Sequence, residues 1–304
     1  MEKIIIYQVL PRLFGNKNHT CKPGGTIEEN GCGKLNNFTP SILKGLRESG
    51  YTHVWYTGVI RHATMTDYST FGIPRQHPAV VKGRAGSPYA IADYYDIDPD
   101  LTVSVEKRME EFEKLVARTH RAGLKVIIDF VPNHVARQYH SIGKPEGVRD
   151  LGEDDNPDVG FDPESNNFYY CPGQPFTPYF DLYHGEKEPY TEFPAKATGN
   201  DHFDNAPGRN DWYETVKLNY GVDYYAGETP ASSHLGHLPF GEKPVGASTW
   251  QKMADILLFW ASKGIDGFRC DMAEMVPAEF WAWATARVRE KFPHVIFIGE
   301  VYNP

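Results

Sequence analysis

Three short runs place polar residues where apolar strands should end. Asp129-Phe-Val-Pro-Asn133-His134 closes one, Gly267-Phe-Arg269-Cys-Asp271 a second and Ile298-Gly-Glu300-Val a third. In parallel βα architectures the carboxyl ends of the strands form the active-site face. Side chains alternate along a strand, so Arg269 and Asp271 share one side while Cys270 faces the helix layer as a buried structural thiol. Asp271 and Glu300 then stand at the mouths of neighbouring strands. Two carboxyl groups so placed suit retaining glycoside hydrolysis, which needs a nucleophile and an acid/base about 5–5.5 Å apart. Arg269 is expected to keep Asp271 ionised as the nucleophile. Glu300, behind Ile298 and Gly299, is expected to be desolvated and protonated as the acid. A structural Arg–Asp pair beside a solvated Glu fits the spacing equally well.

The elements that must position these residues alternate between β-branched runs and helix-period segments, the pattern of a parallel sheet with crossover helices. Strands are predicted over residues 4–10 (IIIYQVL), 53–57, 125–131, 265–272 and 294–301. Helices are predicted over 41–49, 104–121, 250–263 and 277–292, with Gly50, Gly123 and Gly264 as stops. Residues 135–247 break the alternation: they are rich in Gly, Pro, Asn, Asp and aromatics and carry no long periodic segment. A structureless loop of that length is implausible inside a compact domain, so a small irregular domain is expected there. Five βα units fit an open doubly wound sheet or part of a (β/α)8 barrel; for a barrel of roughly 250 residues, about three units are lacking.

The 304 residues, 40% hydrophobic and 23% charged, exclude collagen-like, coiled-coil and wholly disordered chains. A net charge of −9 without a basic run argues against nucleic acid and anionic membranes as partners. No apolar stretch approaches the roughly 18 residues of a membrane span. The start at Met1 shows no leader, which predicts a cytoplasmic protein; a leader removed ahead of Met1 would make it periplasmic or extracellular. Cys21, Cys32, Cys171 and Cys270 are too scattered for a disulfide framework, and free thiols are expected, with Cys21–Cys32 the one pair an oxidising compartment could join. The 12 His show no metal-ligand spacing.

In its motifs the chain resembles the α-amylase family of glycoside hydrolases (family 13). DFVPNH (129–134), GFRCD (267–271) and GEV around Glu300 match three family motifs in order. Tyr89 precedes Asp93 by four residues in SPYAIADYY, and YQVLPRLFGN is similar to the family's first strand. The resemblance implies an α/β fold, a (β/α)8 TIM barrel truncated after about the fifth strand, with an irregular domain B inserted after strand three. Residues 1–134 would then form strands one to three, 135–247 domain B and 248–304 strands four and five. It implies Asp271 as nucleophile, Glu300 as general acid/base and Arg269 as the residue orienting Asp271. His134 would hydrogen-bond the reacting sugar, Tyr89 would stack on its face, and Asp129 would anchor the site. Asn133 is the position that often binds calcium.

Three departures from the family pattern shape the expectations. The fourth motif, Asn-His-Asp after strand seven, does not occur, so the C-terminal half of the barrel is a missing partner and this chain alone is expected to be inactive. VKLNYGVD resembles the fifth motif with Lys217 at the place of a calcium-binding Asp, so no cofactor is expected: a cation there is incompatible with a Ca²⁺ site. Glu274 and Met275 stand where many relatives have Lys-His, so the leaving-group subsites should differ. The resulting expectation is a retaining hydrolase of α-linked glucans such as starch and malto-oligosaccharides. The alternatives are a transglycosylase using the same covalent intermediate, and a non-catalytic carbohydrate-binding or assembly relative.

Overall fold

The computed structural model describes residues 3–302. In chain order its strands are β1 (Ile6–Val9), β2 (His53–Tyr56), β3 (Ile60–His62), β4 (Ile91–Ile97), β5 (Lys125–Phe130), β6 (His134–Ala136), β7 (Tyr170–Cys171), β8 (Ala195–Lys196), β9 (Thr215–Lys217), β10 (Gly267–Cys270) and β11 (Ile296–Gly299). Its α-helices are α1 (Ile27–Asn30), α2 (Pro40–Glu48), α3 (Arg108–Arg121), α4 (Ser248–Ser262) and α5 (Ala278–Lys291).

Five strands form one parallel sheet in the order β1-β2-β5-β10-β11, the sequential order that right-handed βα crossovers produce. All five anticipated strands and four long helices are present, with ends shifted by a few residues. Local chemistry explains the helix limits. The Thr39 side chain accepts from Ile42 N–H at 3.3 Å and Pro40 opens α2. α3 carries Glu110 and Glu111 in its first turn and Arg118, His120 and Arg121 in its last, matching the helix dipole. Gly123, at φ +76°, then turns the chain into β5.

The core lies between the sheet and its helices. Val54, Val126, Ile128 and Phe268 meet Phe112, Leu115, Leu257 and Trp260 there, all fully buried. Trp260 Nε1 donates to the Tyr94 carbonyl at 2.7 Å, which ties α4 to β4. The antiparallel β3–β4 pair, which the sequence analysis did not anticipate, forms a separate two-stranded sheet. Between β6 and α4 the structure has only the two-residue pair β7–β8, strand β9, short 3₁₀ turns and loops. β6 pairs with β9, His134 opposite Lys217. Phe168, Tyr170, Val216, Leu218, Tyr220 and Leu235 of this segment join the apolar cluster of the sheet. Among the described residues the sheet is open, with β1 and β11 as its edges.

Candidate active site

The register of the sheet brings the anticipated residues together. Arg269 on β10 lies opposite Asp129 on β5 and Ile298 on β11. One step beyond β10, Asp271 N–H donates to the Phe130 carbonyl at 2.8 Å, and Glu300 N–H donates to the Cys270 carbonyl at 3.0 Å. The ladder therefore runs just far enough to set both carboxyl-bearing residues at adjacent strand mouths. Met272 follows with φ +49°, a left-handed turn that aims its N–H at Glu300 Oε2, 3.0 Å away. Cys270, opposite in face, is buried with its thiol directed to the Phe268 carbonyl.

Arg269 bridges the two carboxyls. Its Nη1 is 2.7 Å from Asp271 Oδ1 and its Nη2 is 2.5 Å from Glu300 Oε1. The guanidinium also stands over the rings of Trp55 and Tyr89, 5.3 and 5.4 Å from their centroids. Asp129 lies behind it: Oδ1 accepts from Trp55 Nε1 at 3.2 Å and Oδ2 from Gly58 N–H at 2.9 Å. Asp129 thus ties β2 to β5 beneath the site and forms no part of the cavity wall. Burial pushes its carboxyl up to about 6.

The protonation order of the pair corrects the sequence reading. Burial pushes Asp271 up to about 7 against the pull of Arg269, and the neighbouring Glu300 charge pushes in the same direction. Glu300 is lowered: although burial opposes this, the Met272 N–H, the Tyr302 hydroxyl at 2.9 Å and Arg269 all favour its ionised form. The reason for the reversal is that Arg269 serves both carboxyls, while only Glu300 gains two further donors. The two carboxyls influence each other's ionisation and titrate as a pair.

His134 is buried, edge-on to Trp212 at 5.2 Å. Its Nδ1 lies 3.1 Å from the Asn133 amide nitrogen, which also donates to the Gly199 carbonyl at 2.8 Å. Lys217 Nζ, 2.5 Å from Asn133 Oδ1, fixes which end of that amide is the nitrogen. Asn133 therefore donates to Nδ1, which leaves Nε2 as the protonated nitrogen of the neutral ring. Burial and the Lys217 charge push His134 down to about 3, so it is neutral at working pH.

The possible calcium position fails a test of its donors. The sole side-chain oxygen of Asn133 is taken by Lys217, whose ammonium also pairs with Asp201 at 2.6 Å. Two oxygens already held by an ammonium do not suit a cation that takes six to eight. Among the described residues no cluster of three or more His, Cys, Asp or Glu is placed to hold a metal. All four cysteines are free thiols.

Tyr89, His134, Arg269, Asp271 and Glu300 line one cavity of about 310 Å³. Its other wall residues, Lys82, Ser87, Trp212, Glu214, Thr215, Met272 and Tyr302, were not found by sequence reasoning. They sit in loops and on the short β9, where no periodicity signals them. A larger hollow of about 640 Å³, lined by Arg12, Asn16, Met65 and Arg84 among others, holds none of the strand-end carboxyls. No helix among the described residues is long and apolar enough to cross a membrane.

Comparison with known proteins adds an independent observation. The sequence model for the alpha amylase catalytic domain matches residues 8–207. Neopullulanase 2 of Thermoactinomyces vulgaris is 24% identical over 99% of this chain and 39% of its own length. Maltase A1 of Drosophila melanogaster is 24% identical over 87% of this chain and 33% of its own. The chain thus spans well under half of these curated relatives. Its fold matches that of an alpha-amylase from Lactobacillus plantarum, with a TM-score of 0.54 and 23% identity over 98% of this chain and 45% of that one.

Proposed function

This chain belongs to the alpha-amylase catalytic-domain family, and on that premise we propose that it carries the nucleophile and the acid/base of a retaining enzyme acting on α-linked glucans. The observation that supports this most is the single guanidinium of Arg269 between Asp271 and Glu300 at adjacent strand ends. In this reading residues 135–247 are a domain B, and the five-stranded sheet is part of a (β/α)8 barrel.

Asp271 attacks the anomeric carbon while the bond from that carbon to the leaving oxygen breaks. Glu300 gives its proton to that oxygen, and a glycosyl ester on Asp271 forms. Water then attacks the same carbon, gives its proton to Glu300 and releases Asp271. A sugar hydroxyl in place of water makes the same step a transglycosylation. The reaction starts from the singly protonated pair with the proton on Glu300 and Asp271 ionised. Arg269 stays beside Asp271 in either tautomer. The neutral His134 and the Tyr89 ring bound the reacting sugar. Relatives named neopullulanase and maltase favour α-glucan substrates.

Proton NMR of the first product released from maltotriose by protein containing this chain tests the reading. An α-anomer formed first, and lost in Asp271→Asn, is expected; a β-anomer would exclude a retaining mechanism.

A further inference from the structure

The cavity wall carries a charged pair, Lys82 and Glu214, that the reaction above does not use. Glu214 is 4% exposed, and its Oε2 makes no hydrogen bond. Its companion is Lys82 Nζ, 3.2 Å away as an ion pair but outside hydrogen-bond geometry. Lys82 spends one donor on the Asp211 carbonyl at 3.3 Å, and its ammonium stands 5.3 Å from the centre of the Tyr213 ring. An ammonium has three donors and a carboxylate about four acceptor positions. This pair therefore retains unused hydrogen-bonding capacity at a cavity wall, where a buried acceptor without a donor is costly. Trp212 lines the same cavity and packs against His134, with ring centroids 5.2 Å apart.

A donor and an acceptor held together beside an aromatic ring are complementary to a sugar. Each hydroxyl both donates and accepts, while the C–H face of the ring packs on the aromatic. We propose that Lys82 and Glu214 form a hydroxyl-binding subsite of this cavity, with Trp212 as its apolar wall. Glu214 accepts from one hydroxyl of a glucosyl unit and Lys82 donates to its neighbour. In this proposal the subsite holds hydroxyls of the substrate and takes no part in making or breaking its bonds. Its contribution is the same in ground and transition states, so it lowers KM and leaves kcat nearly unchanged.

The inference rests on the α-glucan reading, and binding measurements separate the two. Calorimetric titration of the 304-residue protein with maltotriose is expected to show binding by wild type and by Asp271→Asn. Lys82→Met and Glu214→Gln should each weaken it about tenfold, the scale of a hydrogen bond to a charged group. The double variant should lose less than the sum of the two, because each charge serves the other. Glu214→Gln keeps the volume of a buried side chain; if it fails to fold, the partly exposed Lys82 and the variant Lys82→Met carry the test. Unchanged binding in a folded Lys82→Met would overturn the subsite and leave the α-glucan reading standing. Absence of binding by wild type would overturn both.

Discussion

Asp271 and Glu300 lie on either side of one guanidinium, 2.7 and 2.5 Å from the two terminal nitrogens of Arg269. A single cation cannot fully stabilise two ionised carboxylates that also repel each other. One proton therefore remains on the pair well above the usual carboxylate range, and it resides on the deeper group, Asp271.

The singly protonated pair is the only form that offers a nucleophile and an acid together. Its upper limit is the loss of the proton held by Asp271 at about 7, and its lower limit is the lowered ionisation of Glu300. The expected profile of kcat/KM against pH is a bell whose alkaline limb falls through about pH 7. A plateau sustained to pH 9 in initial-rate assays would contradict a shared proton.

The same shift governs stability. The folded state binds the Asp271 proton more tightly than the unfolded chain does. The stability this gives is complete below the unfolded pKa, about 4, and is lost as pH rises through about 7. Compared with Asp271→Asn, the wild type should lose stability across that window and no further above it. Urea unfolding at pH 4, 6 and 8 measures this difference. A difference independent of pH would mean that Asp271 is not raised.

Lys217 is an internal cation whose removal strands Asn133 Oδ1 and Asp201. Breaking such a buried pair costs about 3–5 kcal/mol, so Lys217→Met is expected to be destabilised by that order in denaturant titrations. Chelator or added calcium should leave the wild-type melting temperature unchanged. A rise in melting temperature with stoichiometric calcium would contradict the assignment.

The parallel sheet was legible because 125–131 and the other strands are continuous apolar runs, and because Arg269, Asp271 and Glu300 interrupt such runs at their ends. The β3–β4 pair was not: Ile91–Ile97 contains two Asp and two Tyr, all buried, with Asp93 and Asp96 paired to Arg61. Such burial depends on a partner 32 residues away for Asp93, which no local pattern announces. The order of pKa values was misread for a related reason. The sequence shows Arg269 two residues from Asp271, but not that the chain folds its other nitrogen onto Glu300. Lys82 and Glu214 are 132 residues apart and meet only through loop placement.

Both edges of the sheet leave apolar side chains exposed: Ile4 and Ile5 near β1, Val301 beyond β11. Unpaired edges of this kind invite association. The 304-residue protein is expected to self-associate in sedimentation experiments. A stable monomer would contradict this.

The central claim is that Asp271 forms a bond to the sugar, and trapping that bond tests it most directly. Protein containing this chain would be treated with a fluorinated α-glucosyl fluoride, which slows breakdown of a glycosyl ester more than its formation, and digested for mass spectrometry. The account predicts one added fluoroglucosyl group on the peptide containing Asp271, absent in Asp271→Asn. A label on Glu300 or Asp129 instead, or turnover by Asp271→Asn equal to wild type, would contradict it.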